Sequence, residues 1–109
     1  MEKKYFQSDY KSVSISDLIL FSLYLALSKN RKCTFEALVK ECFSSFPDIF
    51  SLNGISKWPD SRKLDRPLRT LKESKMVVKE DKNSFNLTKK GERRAKEVSE
   101  RLRQMKLKI

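Results

Sequence analysis

Hydrophobic residues recur at helical spacing in four segments of the chain, and polar residues between them mark where helices begin and end. The first segment, residues 18–27, is apolar on nearly every side. It predicts a helix over residues 17–29 with Ser16 as its N-cap. Such a helix must be covered on more than one side, so we expect a second covering surface, which another subunit could supply. Residues 1–13 show no period and are predicted to form a flexible arm.

The second segment is amphipathic. Thr34 is predicted to cap a helix over residues 35–46, whose apolar positions repeat at i, i+3, i+4 and i+7, and Pro47 is expected to end it. Cys33 is expected to add a very short strand. Residues 47–59 have no clean period, yet their apolar side chains predict that they pack onto the domain with a short helical turn or strand. These side chains are Ile49, Phe50, Leu52, Ile55 and Trp58.

A third helix is predicted over residues 61–74, capped by Asp60 or Ser61. Three leucines line one face at spacings of four and three, namely Leu64, Leu68 and Leu71. Pro67 interrupts this pattern, because a proline inside a helix removes a backbone hydrogen bond. We therefore expect either a kink or a late helix start at Asp65.

A hairpin and a fourth helix complete the chain. Residues 76–78 and 85–87 have the β-branched and aromatic content of two short strands, and residues 80–83 supply the turn. Asn83 is the turn residue best able to adopt a positive φ. Thr88 is predicted to cap the final helix, residues 89–107. Its apolar positions form a heptad seam of about two repeats, made of Ala95, Val98, Leu102, Met105 and Ile109.

The charge of the chain lies mostly in its second half. The formal net charge is +11, from 25 Lys and Arg against 14 Asp and Glu, and the isoelectric point is about 9.8. Residues 57–82 carry nine basic and five acidic side chains, whereas residues 12–56 are balanced at four against four. This asymmetry favours a polyanionic partner. A lysine-rich surface that only confers solubility is the alternative.

With its leucines buried, the third helix would present three arginines on a neighbouring face, namely Arg62, Arg66 and Arg69, with Lys63 and Thr70 beside them. Arginine suits nucleic-acid contact because its planar fork can bind guanine or clasp a phosphate. Lys79, Lys82 and Asn83 lie at or near the hairpin tip, where a second contact could form. The alternative is a solvated face on which Asp65 and Glu73 pair with the arginines.

The order of elements, ending in F-N-L-T-K-K-G at residues 85–91, resembles the winged helix-turn-helix transcription regulators. The resemblance implies an α+β, mainly helical fold with three core helices, a β-hairpin wing and a C-terminal helix, over residues 14–109. It also implies that the third helix enters the major groove of double-stranded DNA. The contacts would then be Ser61, Arg62, Lys63, Arg66, Arg69 and Thr70 from the helix and Lys79, Lys82 and Asn83 from the wing. The long link between the second and third helices departs from a plain helix-turn-helix.

The heptad seam and the very apolar first helix together predict a homodimer, with Val98, Leu102 and Met105 at the interface. The alternative is that the final helix folds back onto its own domain. Lys89, Lys90, Arg93 and Arg94 at its start are candidates for further phosphate contacts.

No enzyme is predicted. The P-D at residues 59–60 and E-D-K at residues 80–82 match the spacing of one nuclease superfamily, but a helix cap and a hairpin turn are not the adjacent strands that its metal site requires. The chain has no histidine, and two glycines cannot build a phosphate-binding loop. We therefore expect no catalytic residue, cofactor or small-molecule substrate.

Two cysteines without a C-x-x-C pair make a metal site unexpected, and Cys33 and Cys42 are predicted to be buried thiols in a reducing compartment. The N-terminal residues lack the apolar core of a secretory signal, and residues 18–27 are too few to span a membrane. These features predict a cytoplasmic protein, nucleoid-associated in a prokaryote, without membrane contact. A winged helix that binds protein instead of DNA, through the first helix or the 50–58 loop, is the alternative function.

Overall fold

Helices hold most of the residues that the computed structural model describes, which are residues 13–29 and 32–107. The fold is α+β, with a small antiparallel sheet beside the helices. The predicted arm at residues 1–12 lies outside the described residues. In chain order the elements are α1 (Ile15–Lys29), β1 (Cys33–Thr34), α2 (Phe35–Ser45), α3 (Pro47–Phe50), β2 (Ser51–Leu52), β3 (Ile55–Pro59), a 3₁₀ turn (Ser61–Leu64), α4 (Asp65–Glu73), β4 (Val77–Lys79), β5 (Ser84–Leu87) and α5 (Lys89–Leu107).

Helix α1 lies at the centre of the fold. It packs against α2, α4 and α5. Within residues 18–23 it buries five apolar side chains, those of Leu18, Ile19, Leu20, Phe21 and Leu23. The covering surfaces that its all-round apolarity required are therefore supplied by this same chain. Val13, which we assigned to the arm, is buried in the core at 6% exposure. The predicted cap at Ser16 was wrong, since the Ser14 hydroxyl accepts from the Asp17 N–H at 3.1 Å and the helix begins two residues earlier.

Helix α2 follows its predicted bounds to within one residue. The Thr34 hydroxyl accepts from the Ala37 N–H at 3.1 Å, which confirms it as the N-cap. Pro47 ends α2, as expected, and it also occupies the first position of α3, where a missing N–H costs nothing. Between the second and third helices, where a short helical turn or strand was expected, the structure has both, as α3 and as a hairpin of β2 and β3.

The three-stranded sheet has the order β1-β5-β4, with both pairings antiparallel. Cys33 pairs with Phe85, which confirms the short first strand. The prediction that Asn83 adopts a positive φ was wrong. Among the described residues other than glycine, Lys75 is the one with a positive φ. Nothing in the local sequence indicated a positive φ at Lys75.

Helix α5 begins at Lys89 and folds back onto α1. Thr88 caps it, since its hydroxyl accepts from the Gly91 N–H at 3.0 Å. Val98 and Leu102, predicted at a dimer interface, are 3% and 1% exposed within the single chain. The seam thus packs inside the subunit, which is the alternative that the sequence left open. The side chain of Met105 lies outside the described part.

Candidate nucleic-acid interface

The α4 segment begins in the way that Pro67 dictates. A 3₁₀ turn precedes the helix, and Pro67 is the third residue of α4, in the first turn, where backbone N–H groups have no acceptor within the helix. The late start at Asp65 is therefore confirmed, and the proline costs the helix none of its hydrogen bonds. Asp60 caps the 3₁₀ turn by accepting from the Arg62 N–H at 3.1 Å.

The exposed face of α4 carries two arginines whose guanidinium groups have no partner among the described residues. Leu68 and Leu71 are buried on one side of the helix, while Arg66 and Arg69 are exposed on the other. Neither guanidinium forms a hydrogen bond or an ion pair with any described residue. Asp65 and Glu73, the partners that a merely solvated face would have used, do not pair with them. Thr70 is exposed beside them, with its hydroxyl donating to the Arg66 carbonyl at 3.2 Å.

Arg62 is exposed but held in place. Its Nε and Nη2 donate to the two carboxylate oxygens of Asp60 at 3.1 and 3.3 Å, although 80% of its side chain is accessible. This side-chain hydrogen bond is the main reason why the pKa of Asp60 is lowered and that of Arg62 is raised. The pair leaves the Nη1 donors of a preoriented guanidinium free for an external acceptor. Ser61, next to it, is exposed.

Lys63 does not belong to this exposed face. Its ammonium donates to the carbonyl oxygens of Ile49 and Ser51 at 3.0 and 2.7 Å and to Asn53 Oδ1 at 3.3 Å. An ammonium has three donors, and all three are used. Lys63 thus ties the 3₁₀ turn to α3 and to the β2–β3 hairpin, and we leave it out of the interface proposed below. The contacts join residues 10 to 14 positions apart, which local periodicity does not report.

The tip of the β4–β5 hairpin is organised by Asp81. Its Oδ1 accepts from the N–H groups of Asn83 and Ser84 at 2.9 and 3.0 Å, and its Oδ2 accepts from the Lys32 ammonium at 3.2 Å. The Asn83 N–H, followed by donors from Ser84 and Lys32, lowers the pKa of Asp81 to about 2. Lys79, Lys82 and Asn83 are exposed on the hairpin, together with Val78 and Glu80. No described residue pairs with either lysine.

The chain passes from α4 to the hairpin through a Schellman motif. The Met76 N–H donates to the Leu71 carbonyl at 3.0 Å and the Lys75 N–H to the Lys72 carbonyl at 3.1 Å, while Lys75 has φ 61°. Glycine usually holds this position, so the sequence carried no signal for it. The Lys72 ammonium lies 5.7 Å from the centre of the Phe85 ring, which also joins α4 to β5.

The Met76 carbonyl is the point where α4, the hairpin and α5 meet. It accepts from the Thr88 N–H at 3.1 Å, and the Thr88 hydroxyl contacts both it and the Lys75 carbonyl, the latter at 2.6 Å. A Cβ on Gly91 would lie 1.9 Å from the same oxygen, so only glycine fits there. In the T-x-x-G at residues 88–91, Thr88 therefore caps α5, and Gly91 allows the helix backbone to lie against the Met76 carbonyl.

The start of α5 carries both used and unused cations. Lys90 donates to the Ser74 carbonyl at 3.2 Å, and Arg94 forms a bidentate pair with Asp17 at 2.7 and 3.1 Å. Lys89 and Arg93 are exposed and have no partner among the residues described. They are also two of the residues that line a shallow groove on α5. Two of the four candidate phosphate contacts at this helix start are thus free.

The β2–β3 hairpin exposes apolar surface that the sequence analysis placed against the domain. Phe50 is 1% exposed and Ile49 packs against the core, as predicted. Ile55 and Trp58, however, are 40% and 55% exposed. For these two residues the prediction of packing was wrong, because the hairpin is only two-stranded and nothing else in the described chain covers it.

The residues considered for metal or enzyme chemistry are separated or buried. Burial raises the pKa of the Cys33 thiol to about 11 and that of the Cys42 thiol to about 12. Asp60 is engaged by Arg62, and Glu80 accepts from the Asn86 side chain. Within residues 13–29 and 32–107, no three His, Cys, Asp or Glu side chains gather in a metal-binding cluster.

No described helix has the length and apolar character needed to cross a membrane. Comparison of the chain with protein-family models, with curated proteins and with solved structures found no match in any of the three.

Proposed function

We propose that this protein binds double-stranded DNA, as a transcription regulator of the winged helix type. Helix α4 would lie in the major groove, with the β4–β5 hairpin as the wing. The observation that carries the proposal is the pair Arg66 and Arg69, whose guanidinium groups are exposed on α4 and have no partner among the described residues. Two aligned, unpaired guanidinium groups on one helix face are suited to phosphate oxygens and to the acceptor edge of guanine.

The order of elements supports this proposal. Helix α1, strand β1, helices α2 and α4 and the β4–β5 hairpin follow one another in this order, with α3 and the β2–β3 hairpin inserted between α2 and α4. Strand β1 pairs with β5, the second strand of the β4–β5 hairpin. This arrangement suits a winged helix because β1 fixes the hairpin beside the helices. The Schellman motif and the Met76 carbonyl fix the hairpin base relative to α4. The helix and the wing would therefore approach a duplex as one surface.

The distribution of unpaired charge also favours a polyanion. Four exposed cations on α4 and the wing form no ion pair or ring contact with a described residue, namely Arg66, Arg69, Lys79 and Lys82. Lys72 is also exposed on α4, but it lies over the Phe85 ring. Arg62 adds a guanidinium that Asp60 orients without covering it. By contrast, the two acidic side chains at the wing tip accept hydrogen bonds within the domain, Asp81 from its own turn and from Lys32, and Glu80 from the Asn86 side chain. The proposed interface therefore consists of Ser61, Arg62, Arg66, Arg69, Thr70, Lys79, Lys82 and Asn83.

The deciding experiment is a titration of labelled duplex DNA by fluorescence anisotropy at several salt concentrations. Four phosphate contacts predict a log–log slope of about −3.6, since each contributes about −0.9. Replacing Arg66 and Arg69 with alanine should weaken binding and reduce the slope to about half. Lys40→Ala is the matched control, because Lys40 is an exposed cation on α2 without a described partner. An unchanged affinity and slope in the double variant would show that α4 is not the contact helix.

We do not propose a homodimer interface at Val98 and Leu102, where the heptad seam predicted one. Both side chains are buried against the core of their own subunit. A second subunit could reach them only if α5 left α1, which would expose a large part of the core.

A further inference from the structure

Trp58 is the chain's one tryptophan and the most exposed large hydrophobic residue that the structure describes, at 55%. It lies on β3, two residues before the Asp60 cap that opens the α4 segment. An indole ring left in water loses the gain that its burial would bring, which is large for an aromatic side chain. The binding surface argued above gives this ring no role.

The exposure of Trp58 is not a consequence of a loosely attached loop. The Asp60 N–H donates to the Phe50 carbonyl at 2.7 Å, and Phe50 is 1% exposed. Lys63 holds the other side of the hairpin through the Ile49 and Ser51 carbonyls. The ring is therefore presented from a hairpin that is fixed to the segment carrying Arg66 and Arg69.

The charges along this hairpin indicate the class of its partner. Residues 51–63 hold three cations, Lys57, Arg62 and Lys63, and one carboxylate, that of Asp60. The Lys63 ammonium is used within the fold and Asp60 is bound by Arg62, while Lys57 is exposed and has no described partner. An exposed aromatic ring on a segment that also carries exposed cations is the combination by which proteins hold unpaired nucleotides, with the base on the ring and the phosphate at a cation.

We propose that Trp58 stacks on an unpaired nucleobase, so that the preferred partner of this protein is a duplex with a single-stranded flank. The inference rests on the proposed function, since α4 would hold the duplex and the β2–β3 hairpin would hold the flank. Inside a duplex both faces of each base are covered by neighbouring bases. The base that an indole ring stacks on is therefore one in an unpaired segment.

The test compares one duplex sequence in a blunt form and in forms with a 5′ or a 3′ single-stranded flank. A flank on the correct strand should tighten binding at least about fivefold, which corresponds to the lower limit of base–aromatic stacking. It should also quench the emission of Trp58, which reports this site alone because the chain has no other tryptophan. Trp58→Ala should abolish the gain from the flank while leaving the affinity for the blunt duplex unchanged.

Two variants control for other effects of the substitution. Trp58→Phe retains an aromatic face and should keep part of the gain. Ile55→Ala removes exposed apolar surface from the same strand without removing a ring, so the gain should remain. Circular dichroism spectra of all variants should match that of the wild type.

Each outcome bears on one of the two proposals. Blunt duplex binding that depends on Arg66 and Arg69, with no gain from either flank and no quenching, overturns the role of Trp58 and leaves DNA binding intact. Failure to bind any of the probes overturns both. A blue shift of the emission with rising protein concentration, without DNA, would show that a second copy covers Trp58 and would also overturn the stacking.

Discussion

Replacing Lys63 with methionine tests whether this cation stabilises the fold or belongs to the proposed DNA interface. The substitution keeps most of the aliphatic stem and removes the ammonium that binds the Ile49 and Ser51 carbonyls and Asn53 Oδ1. Asn53 is exposed, so water replaces that bond at little cost. Ser51 is 8% exposed and Ile49 is half-buried, so their carbonyls are poorly rehydrated.

An unsatisfied buried acceptor costs about 1–3 kcal/mol, and two partly shielded carbonyls therefore predict a loss of about 2–3 kcal/mol. In a domain of this size this corresponds to a fall in Tm of about 10 °C. Urea unfolding followed by circular dichroism measures the free energy, with Arg66→Ala as the matched control. The guanidinium of that arginine has no described partner, so its loss should change stability by less than about 0.5 kcal/mol.

The same variant is then titrated with duplex DNA. Below its unfolding transition, Lys63→Met should keep the wild-type salt slope, because its ammonium makes no phosphate contact. A stability change below about 0.5 kcal/mol, together with a slope reduced by about 0.9, would refute this reasoning and return Lys63 to the interface.

Four further predictions concern stability and are measured by chemical or thermal unfolding. Gly91→Ala should destabilise the protein by about 2–3 kcal/mol or more, because the new Cβ would lie 1.9 Å from the Met76 carbonyl oxygen. This loss should exceed the gain from the better helix propensity of alanine, and a neutral result would contradict the close approach. Lys75→Gly should stabilise it by about 0.5–1 kcal/mol, since φ 61° strains a residue with a side chain, whereas Lys75→Ala should give no gain. Asp81→Asn should lower stability near neutral pH, because the pKa of Asp81 in the folded protein, about 2, is below its ordinary value of 3.8. The difference in stability from wild type should therefore shrink as pH falls from about 4 to about 2, and a difference that persists below pH 2 would point to a cause other than ionisation. Leu102→Ala should cost about 2–5 kcal/mol at every protein concentration, whereas a concentration-dependent loss would place this residue at a subunit interface.

The parts of the fold that the sequence predicted well depend on local chemistry. Thr34 and Thr88 cap the helices that follow them, and the restriction imposed by Pro67 correctly placed the start of α4 at Asp65. In each case the deciding interaction spans no more than about one turn of helix, so it is written in neighbouring residues.

The parts that it missed depend on partners distant in sequence. The heptad seam correctly indicated that α5 packs on another helix, but periodicity does not distinguish α1 of the same chain from a second subunit. Lys63 and Arg66 are both basic residues near the start of the third predicted helix, so the sequence suggests the same role for both. Only the contacts of Lys63 with residues 49–53 show that it stabilises the fold. The choice of Ser16 over Ser14 failed because both serines precede the apolar run and either could cap it.

The junction at the Met76 carbonyl has a consequence for motion. Since this oxygen accepts from Thr88 and lies against Gly91, strand β4 cannot separate from the start of α5 without breaking the Thr88 N–H and hydroxyl contacts with the Met76 carbonyl. Opening of the hairpin base is thereby coupled to release of the residue that caps α5, and the amide proton of Thr88 should exchange with solvent as slowly as those of the core. Adjustment of the hairpin to a bound surface is then confined to its tip, residues 80–83.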